Sequence, residues 1–213
     1  MKNIFIVLLL FAGMVSSVVA QDAVEGRWKG EIGFSKIHLR FKSSLRSARG
    51  HWDMSWSDDF LLKEFNGLEQ ARDRAGMAEF TLLREAGTFS FKGEIQNDKG
   101  AGDFKFEINP KFVNDLKKLG YHKLATDQVF TLAMHDVGVA FIKEMETLGY
   151  DKPSIDTLVQ MVIHGVTPAF VRDMSDLGYK NLPIDQLVQL RIHGVDADYV
   201  RAMNAALNSS SKK

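Results

Sequence analysis

The sequence predicts an α+β fold: an N-terminal antiparallel β-meander, a curled sheet or half-barrel, followed by an array of short helical hairpins. Two observations predict it. Apolar and polar residues alternate between positions 25 and 108, as they do in half-buried strands. From position 112 onward the chain repeats itself every 29 residues, and a fixed period of this size indicates an array of similar units.

The alternating half of the chain divides into about six strand segments. They lie around Trp28–Ile32, Ile37–Phe41, Trp52–Trp56, Phe80–Leu82, Phe89–Phe91 and Phe104–Phe106. Tight turns are expected at Glu85–Gly87 and at Asn97–Gly100, because Gly, Asn and Asp favour hairpin loops. The alternation fails between Asp58 and Arg74, where apolar residues take helix-like spacing, so a short helix or an ordered loop is expected there.

The repeat begins with an apolar helix stripe that ends in Leu-Gly-Tyr. The stripes start at Phe112, Phe141 and Phe170 and begin again at Tyr199; the second and third units match at 14 of 29 positions. Glycine directly after a helical stripe favours a left-handed cap, against which the following tyrosine can pack. Gly120, Gly149 and Gly178 take this position, followed by Tyr121, Tyr150 and Tyr179.

Each unit continues with a second helix that begins near Ala125, Ser154 or Pro183 and closes at His135, His164 or His193. Asn109-Pro110 suits the cap and first position of the first helix in the array. Helices of about ten residues cannot bury their stripes alone, so neighbouring hairpins must stack. The fourth unit has Ala206-Leu-Asn208 in place of Leu-Gly-Tyr and no second helix, as expected of a terminal cap.

The first 20 residues resemble a secretory signal peptide: Lys2, an apolar run, and small residues ending at Ala20. We therefore expect a periplasmic or secreted protein, with no membrane span after cleavage. Residues 21–108 would form the β domain, residues 109–207 the helical repeat domain, and residues 208–213 a disordered tail. There is no cysteine, which excludes disulfides and thiolate chemistry. Without Lys2 the charges balance to about −1, which argues against nucleic acid as a partner.

Polar residues that recur in every unit are better explained by helix ends than by catalysis. His135, His164 and His193 fall in the last turns of their helices, where they complement the negative helix end. Stacked helices would hold them about 8 to 10 Å apart per step, too far to share one zinc ion. Asp127, Asp156 and Asp185 fall in first turns. No catalytic motif, metal site or cofactor is therefore predicted, and we expect a protein that is not an enzyme.

One exposed stripe is the candidate binding surface. Lys143, Arg172 and Arg201 take the same position in three consecutive first helices, with Glu144 and Asp173 beside them. Repeat arrays commonly bind partners along such a repeated surface, although an ordinary solvated face gives the same pattern.

The segments Phe141–Tyr150 and Ile163–Phe170 resemble a bacterial repeat found in exported proteins of unknown function. The same repeat is appended to some membrane zinc peptidases of the beta-lactam-sensor type. Residues 84–91 and 100–106 are similar to the sheet segment that accompanies it. This resemblance implies an exported module, with a hint of envelope sensing, and brings no catalytic residues. We expect the helical repeats to bind a protein partner; the alternative is a small ligand or envelope component bound on the concave face of the sheet.

Overall fold

The computed structural model describes residues 23–47 and 50–210, and of residues 44–47, 50–53 and 207–210 it describes only the backbone. The predicted signal peptide lies outside the described residues. The α+β fold is confirmed: a curled antiparallel sheet is followed by helices. The strands are β1 Val24–Ile32, β2 Lys36–Ser47, β3 Gly50–Leu61, β4 Phe65–Asn66, β5 Gly76–Arg84, β6 Gly87–Gln96 and β7 Lys99–Ile108.

The sheet is built from two meanders that join along β1 and β7. Its strand order is β3-β2-β1-β7-β6-β5-β4, and all neighbouring strands are antiparallel. The predicted turn between β6 and β7 is a two-residue hairpin in which Asn97 and Asp98 both have positive φ, 51° and 60°. That geometry matches the right-handed twist of the flanking strands.

The sheet curls into a half-barrel around an aromatic core. The ring centroids of Trp28 and Phe80 lie 5.2 Å apart although two strands separate β1 from β5, and Phe60 near one edge lies 5.9 Å from Phe65 at the other. Glycine permits the tight approach of neighbouring strands. A Cβ on Gly102 would lie 2.0 Å from the Lys92 carbonyl oxygen, so no other residue fits there.

The segment from Asp58 to Arg74 is more regular than its sequence suggests. Strand β3 continues to Leu61, a 3-10 helix spans Leu62–Glu64, and β4 adds a seventh strand to the expected six. Helix α1, Leu68–Arg74, is the short helix predicted there. Asp58 and Asp59 mask the strand pattern, because the Asp59 carboxylate faces outward and accepts from His38 Nδ1 at 2.8 Å.

The helices reproduce the 29-residue period residue for residue. The first helices are α2 Pro110–Lys118, α4 Val139–Thr147, α6 Pro168–Asp176 and α8 Ala197–Ser210, and the second helices are α3 Thr126–Met134, α5 Ile155–Ile163 and α7 Ile184–Ile192. First helices pack against first helices and second against second, in two layers. Since α8 runs to Ser210, the start of the predicted tail is helical; residues 211–213 lie outside the described residues. In the described part of the chain, no helix is long and apolar enough to cross a membrane.

The sheet and the array share a core rather than meeting at residue 108 as separate bodies. Phe130 of α3 packs edge-on against Phe89 and Phe106, with ring centroids 5.4 Å away in both cases. This first core runs from β1 to α5, whereas a second core joins the later helices and includes Met145, Val166, Phe170 and Leu187. The sheet therefore closes one end of the array.

The β5–β6 turn fixes the array to the sheet. The Glu85 carboxylate accepts a hydrogen bond at 2.9 Å from the amide of Val139, at an α4 N-terminus whose own cap residue, Gly138, has no side chain to do so. Beside it, Arg84 forms ion pairs with Glu64 and, at 3.8 Å, with Asp136. A carboxylate is favourable at a helix N-terminus, where unpaired amides concentrate positive charge.

Candidate interaction site at the end of the array

The joint between successive units is built from the Leu-Gly-Tyr motif. Gly120, Gly149 and Gly178 take the predicted left-handed conformation, with φ values of 89°, 91° and 95°. At each of them the amide of the next tyrosine donates at 3.0 Å to a carbonyl five residues back, as the Tyr150 amide does to Met145. This pairing satisfies carbonyls that the helix end leaves free and turns the tyrosine toward the next unit.

The tyrosine hydroxyls tie each unit to the one after it. Tyr121 donates to the Pro153 carbonyl at 2.9 Å, and Tyr150 donates to the Leu182 carbonyl at 2.7 Å. Both acceptors lie in the extended segment that precedes a second helix, α5 or α7. The array thus repeats one rule: a unit receives the next second helix together with a backbone carbonyl just before it.

The last tyrosine has no following unit to bind. Tyr179 is 44% exposed, and within the described residues its hydroxyl has no hydrogen-bond partner. In the described chain α8 is followed by no second helix. The position that the rule would fill is therefore open.

A groove of about 550 Å³ lies at this open position and is called here the terminal groove. It is lined by Met174, Tyr179, Leu182, Gln186, Gln189, Leu190, His193, Val195, Tyr199, Val200, Met203 and Asn204. Met174 and Val200 are buried at its floor, whereas Tyr199 and Met203 are 54% and 46% exposed. Apolar side chains at this level of exposure mark a surface suited to a partner.

The period shows what such positions look like when a unit follows. Tyr199 and Met203 correspond, 29 residues earlier, to Phe170 and Met174, which are 6% and 1% exposed. Likewise Met161 and Val166, the counterparts of the half-buried Leu190 and Val195, are fully buried. The terminal groove is therefore an inter-unit surface of the array that has no following unit over it.

The three histidines lie at helix ends, one unit apart, as C-cap residues of α3, α5 and α7. Only His135 packs against the sheet, with its ring 4.7 Å from that of Trp56; burial there lowers the pKa of its imidazole. Asp127, Asp156 and Asp185 lie in first turns, as predicted. Across the described residues, no group of three or more His, Asp or Glu side chains is placed to hold a metal ion.

The stripe predicted for binding lies on an exposed face, but two of its cations have carboxylate partners. Both terminal nitrogens of Arg172 donate to Glu144 of the preceding unit, at 3.1 and 3.2 Å, and Arg201 pairs with Asp198 at 2.6 Å. Lys143 has no ion-pair partner among the described residues. These pairs reduce the positive charge that Lys143, Arg172 and Arg201 offer, and their role in binding stays a prediction.

The sheet carries a wider depression of about 1230 Å³. Its border includes outward-pointing charged residues that pair with one another across strands, Arg27 with Asp103 at 3.2 Å and Lys92 with Glu79 at 2.8 Å. The core face of the sheet is filled by buried aromatic side chains such as Trp28, Phe41 and Phe91. Paired charges on one face and a packed core on the other leave the terminal groove as the better site.

Sequence reasoning did not find the terminal groove. Tyr199 and Met203 continue the apolar stripe of the earlier units, so the pattern by itself predicts that they are buried. The available signal was the degenerate fourth unit, which implies an uncovered surface where the array stops.

No family model matches this chain, and neither the curated proteins nor the solved structures contain a match to it. What the protein does must therefore be inferred from its own residues and contacts.

Proposed function

We propose that this chain is a non-enzymatic, exported protein-interaction module whose helical repeats bind an amphipathic helix of a protein partner in the terminal groove. The proposed setting is the bacterial envelope, which the leader-like start of the sequence and the resemblance to sensor-associated repeats both favour. The observation that carries the proposal is the exposure of Tyr199 and Met203, whose counterparts Phe170 and Met174 are buried by the next unit.

The array itself indicates the chemistry of the partner. The equivalent grooves of earlier units hold α5 and α7, which bury Leu158 and Leu187 and are preceded by the carbonyl that a tyrosine hydroxyl binds. A partner helix with an apolar face and a free carbonyl before its first turn would repeat these contacts. Recognition of an amphipathic helix in an apolar groove is a common mode of peptide binding.

The test uses a peptide copied from the chain as the partner surrogate. Residues 180–195 contain α7 and the segment before it, and a labelled peptide of this sequence is titrated with the chain from residue 21 onward while fluorescence anisotropy is measured. We expect saturable binding with a Kd of roughly 10 to 500 μM, because a short isolated peptide must first fold into a helix.

Matched variants locate the binding surface. Tyr199→Asp places a charge in the terminal groove and should weaken peptide binding at least about tenfold, which corresponds to 1.4 kcal/mol. Met77→Asp, at an exposed position on β5, should leave binding unchanged. A peptide with Leu187 and Val188 replaced by Ser should not bind. Equal binding of both peptides, or equal loss in both protein variants, contradicts the proposal.

A further inference from the structure

We propose that the partner at the terminal groove is a second copy of this chain, so that two arrays meet tail to tail about a twofold axis. This inference rests on the proposed function and names the source of the helix. The second copy would bring its own α7 and α8 against the groove, which continues the stacking of α5 on α3 and of α7 on α5 across the axis.

The charge of the groove favours a copy of itself. None of its twelve lining residues is Asp, Glu, Lys or Arg, although charged residues make up 25% of the chain, so that about three would be expected by composition. In a twofold contact the same patch faces itself, and any charge near the axis would meet its own like charge. A charge-free patch avoids that repulsion.

The polar groups of the groove can also pair with themselves. Its polar side chains are the hydroxyls of Tyr179 and Tyr199, the amides of Gln186, Gln189 and Asn204, and the imidazole of His193. Hydroxyls, amides and neutral imidazoles both donate and accept hydrogen bonds. A patch of such groups therefore finds suitable partners in an identical patch, which a patch of donors or of acceptors alone does not.

The two ends of the array predict a closed dimer rather than a filament. The first end is covered by the sheet, where Phe130 packs against Phe89 and Phe106. Only the last end presents an uncovered inter-unit surface within the described residues. A twofold contact uses that surface on both copies and leaves no free end for a third copy.

Sedimentation velocity tests the inference on the chain from residue 21 onward, between about 1 and 100 μM. We expect dimers that dissociate on dilution. Met203→Glu should make the chain monomeric or raise the dimer Kd at least about tenfold, since two carboxylates would meet near the axis. Met77→Glu replaces a methionine that is 67% exposed on the sheet and should leave the dimer intact. Circular dichroism verifies that both variants fold.

The peptide titration separates the two proposals. If the unchanged chain stays monomeric at 100 μM but binds the peptide of residues 180–195, the second-copy inference is wrong and the proposed function stands. If it is monomeric and binds no peptide, both are wrong. If a dimer forms and Met203→Glu does not weaken it, the interface lies elsewhere and the inference fails. A dimer that the peptide dissociates supports both.

Discussion

The glycines of the Leu-Gly-Tyr motif are required by backbone conformation alone. Gly149 has a φ of 91°, and a Cβ built on it meets no atom within 4 Å. Replacement therefore meets no steric clash, and its cost is that of placing an L-residue in the left-handed region, about 1 to 2 kcal/mol for most residues and less for Asn.

We accordingly predict that stability falls in the order Gly149, Gly149→Asn, Gly149→Ala, Gly149→Val. The valine variant should lose at least about 1 kcal/mol, because a β-branched side chain is the least tolerant of positive φ. Urea unfolding followed by circular dichroism measures the series. An alanine variant as stable as the parent chain would contradict the left-handed cap.

His135 couples the stability of the fold to pH. Burial lowers the pKa of its imidazole below the ordinary value of 6.5, so the unfolded chain takes up this proton first as the pH falls. The stabilising contribution is thus complete above about pH 6.5 and is lost progressively below it, until the pH passes the lowered folded pKa.

The prediction is that His135→Gln flattens the dependence of melting temperature on pH between about 7 and 5. His193→Gln alters the same position two units later, where the side chain is exposed, and should keep the slope of the parent chain. Melting curves at several pH values compare the three proteins. A His135→Gln profile parallel to that of the parent chain would show that another group is responsible.

At the scale of elements, the tyrosine hydroxyls hold adjacent hairpins in register. Tyr150→Phe removes the hydrogen bond to the Leu182 carbonyl and keeps the ring, so we expect a loss of about 1 kcal/mol. Tyr121→Phe should cost the same or more, because its ring is more deeply buried. Tyr179→Phe serves as the control and should be within about 0.5 kcal/mol of the parent chain. Denaturant unfolding of all three compares these values.

The sequence predicts the local part of these elements well and the distant part poorly. The apolar stripe, the Gly149 cap and the start of α2 at Asn109-Pro110 depend on neighbours within one helix turn, and all are found. The Glu85 carboxylate at the start of α4 comes from 54 residues away, and the Tyr150 acceptor from 32. Periodicity fixes which residues are alike but not how far one unit is displaced from the next.

The candidate site shows the same limit at larger scale. A repeat predicts equal burial of Phe170 and Tyr199, yet their exposures differ because only one of them has a following unit. Exposure at the end of an array depends on where the array stops, which a single unit does not encode. The stripe of Lys143, Arg172 and Arg201 was legible because it lies within the period, whereas the terminal groove was not.

At the scale of the whole molecule, two cores should respond separately to mutation. Phe130 belongs to the core shared by the sheet and the first helices, while Leu187 belongs to the core of the last helices. Phe130→Ala should cost about 3 to 5 kcal/mol and Leu187→Ala about 2 to 5 kcal/mol, since both side chains are fully buried. Arrays whose units contact only their neighbours open locally, so the two losses should appear in different segments.

Hydrogen exchange read by mass spectrometry distinguishes these outcomes. Leu187→Ala should speed exchange in α6, α7 and α8 and leave β6 and β7 protected, because the sheet keeps its own aromatic core. Phe130→Ala should instead expose the sheet together with α2 to α5. If Leu187→Ala speeds exchange equally in β6, β7 and α7, the molecule unfolds as one cooperative unit and the sheet is not an independent support for the array.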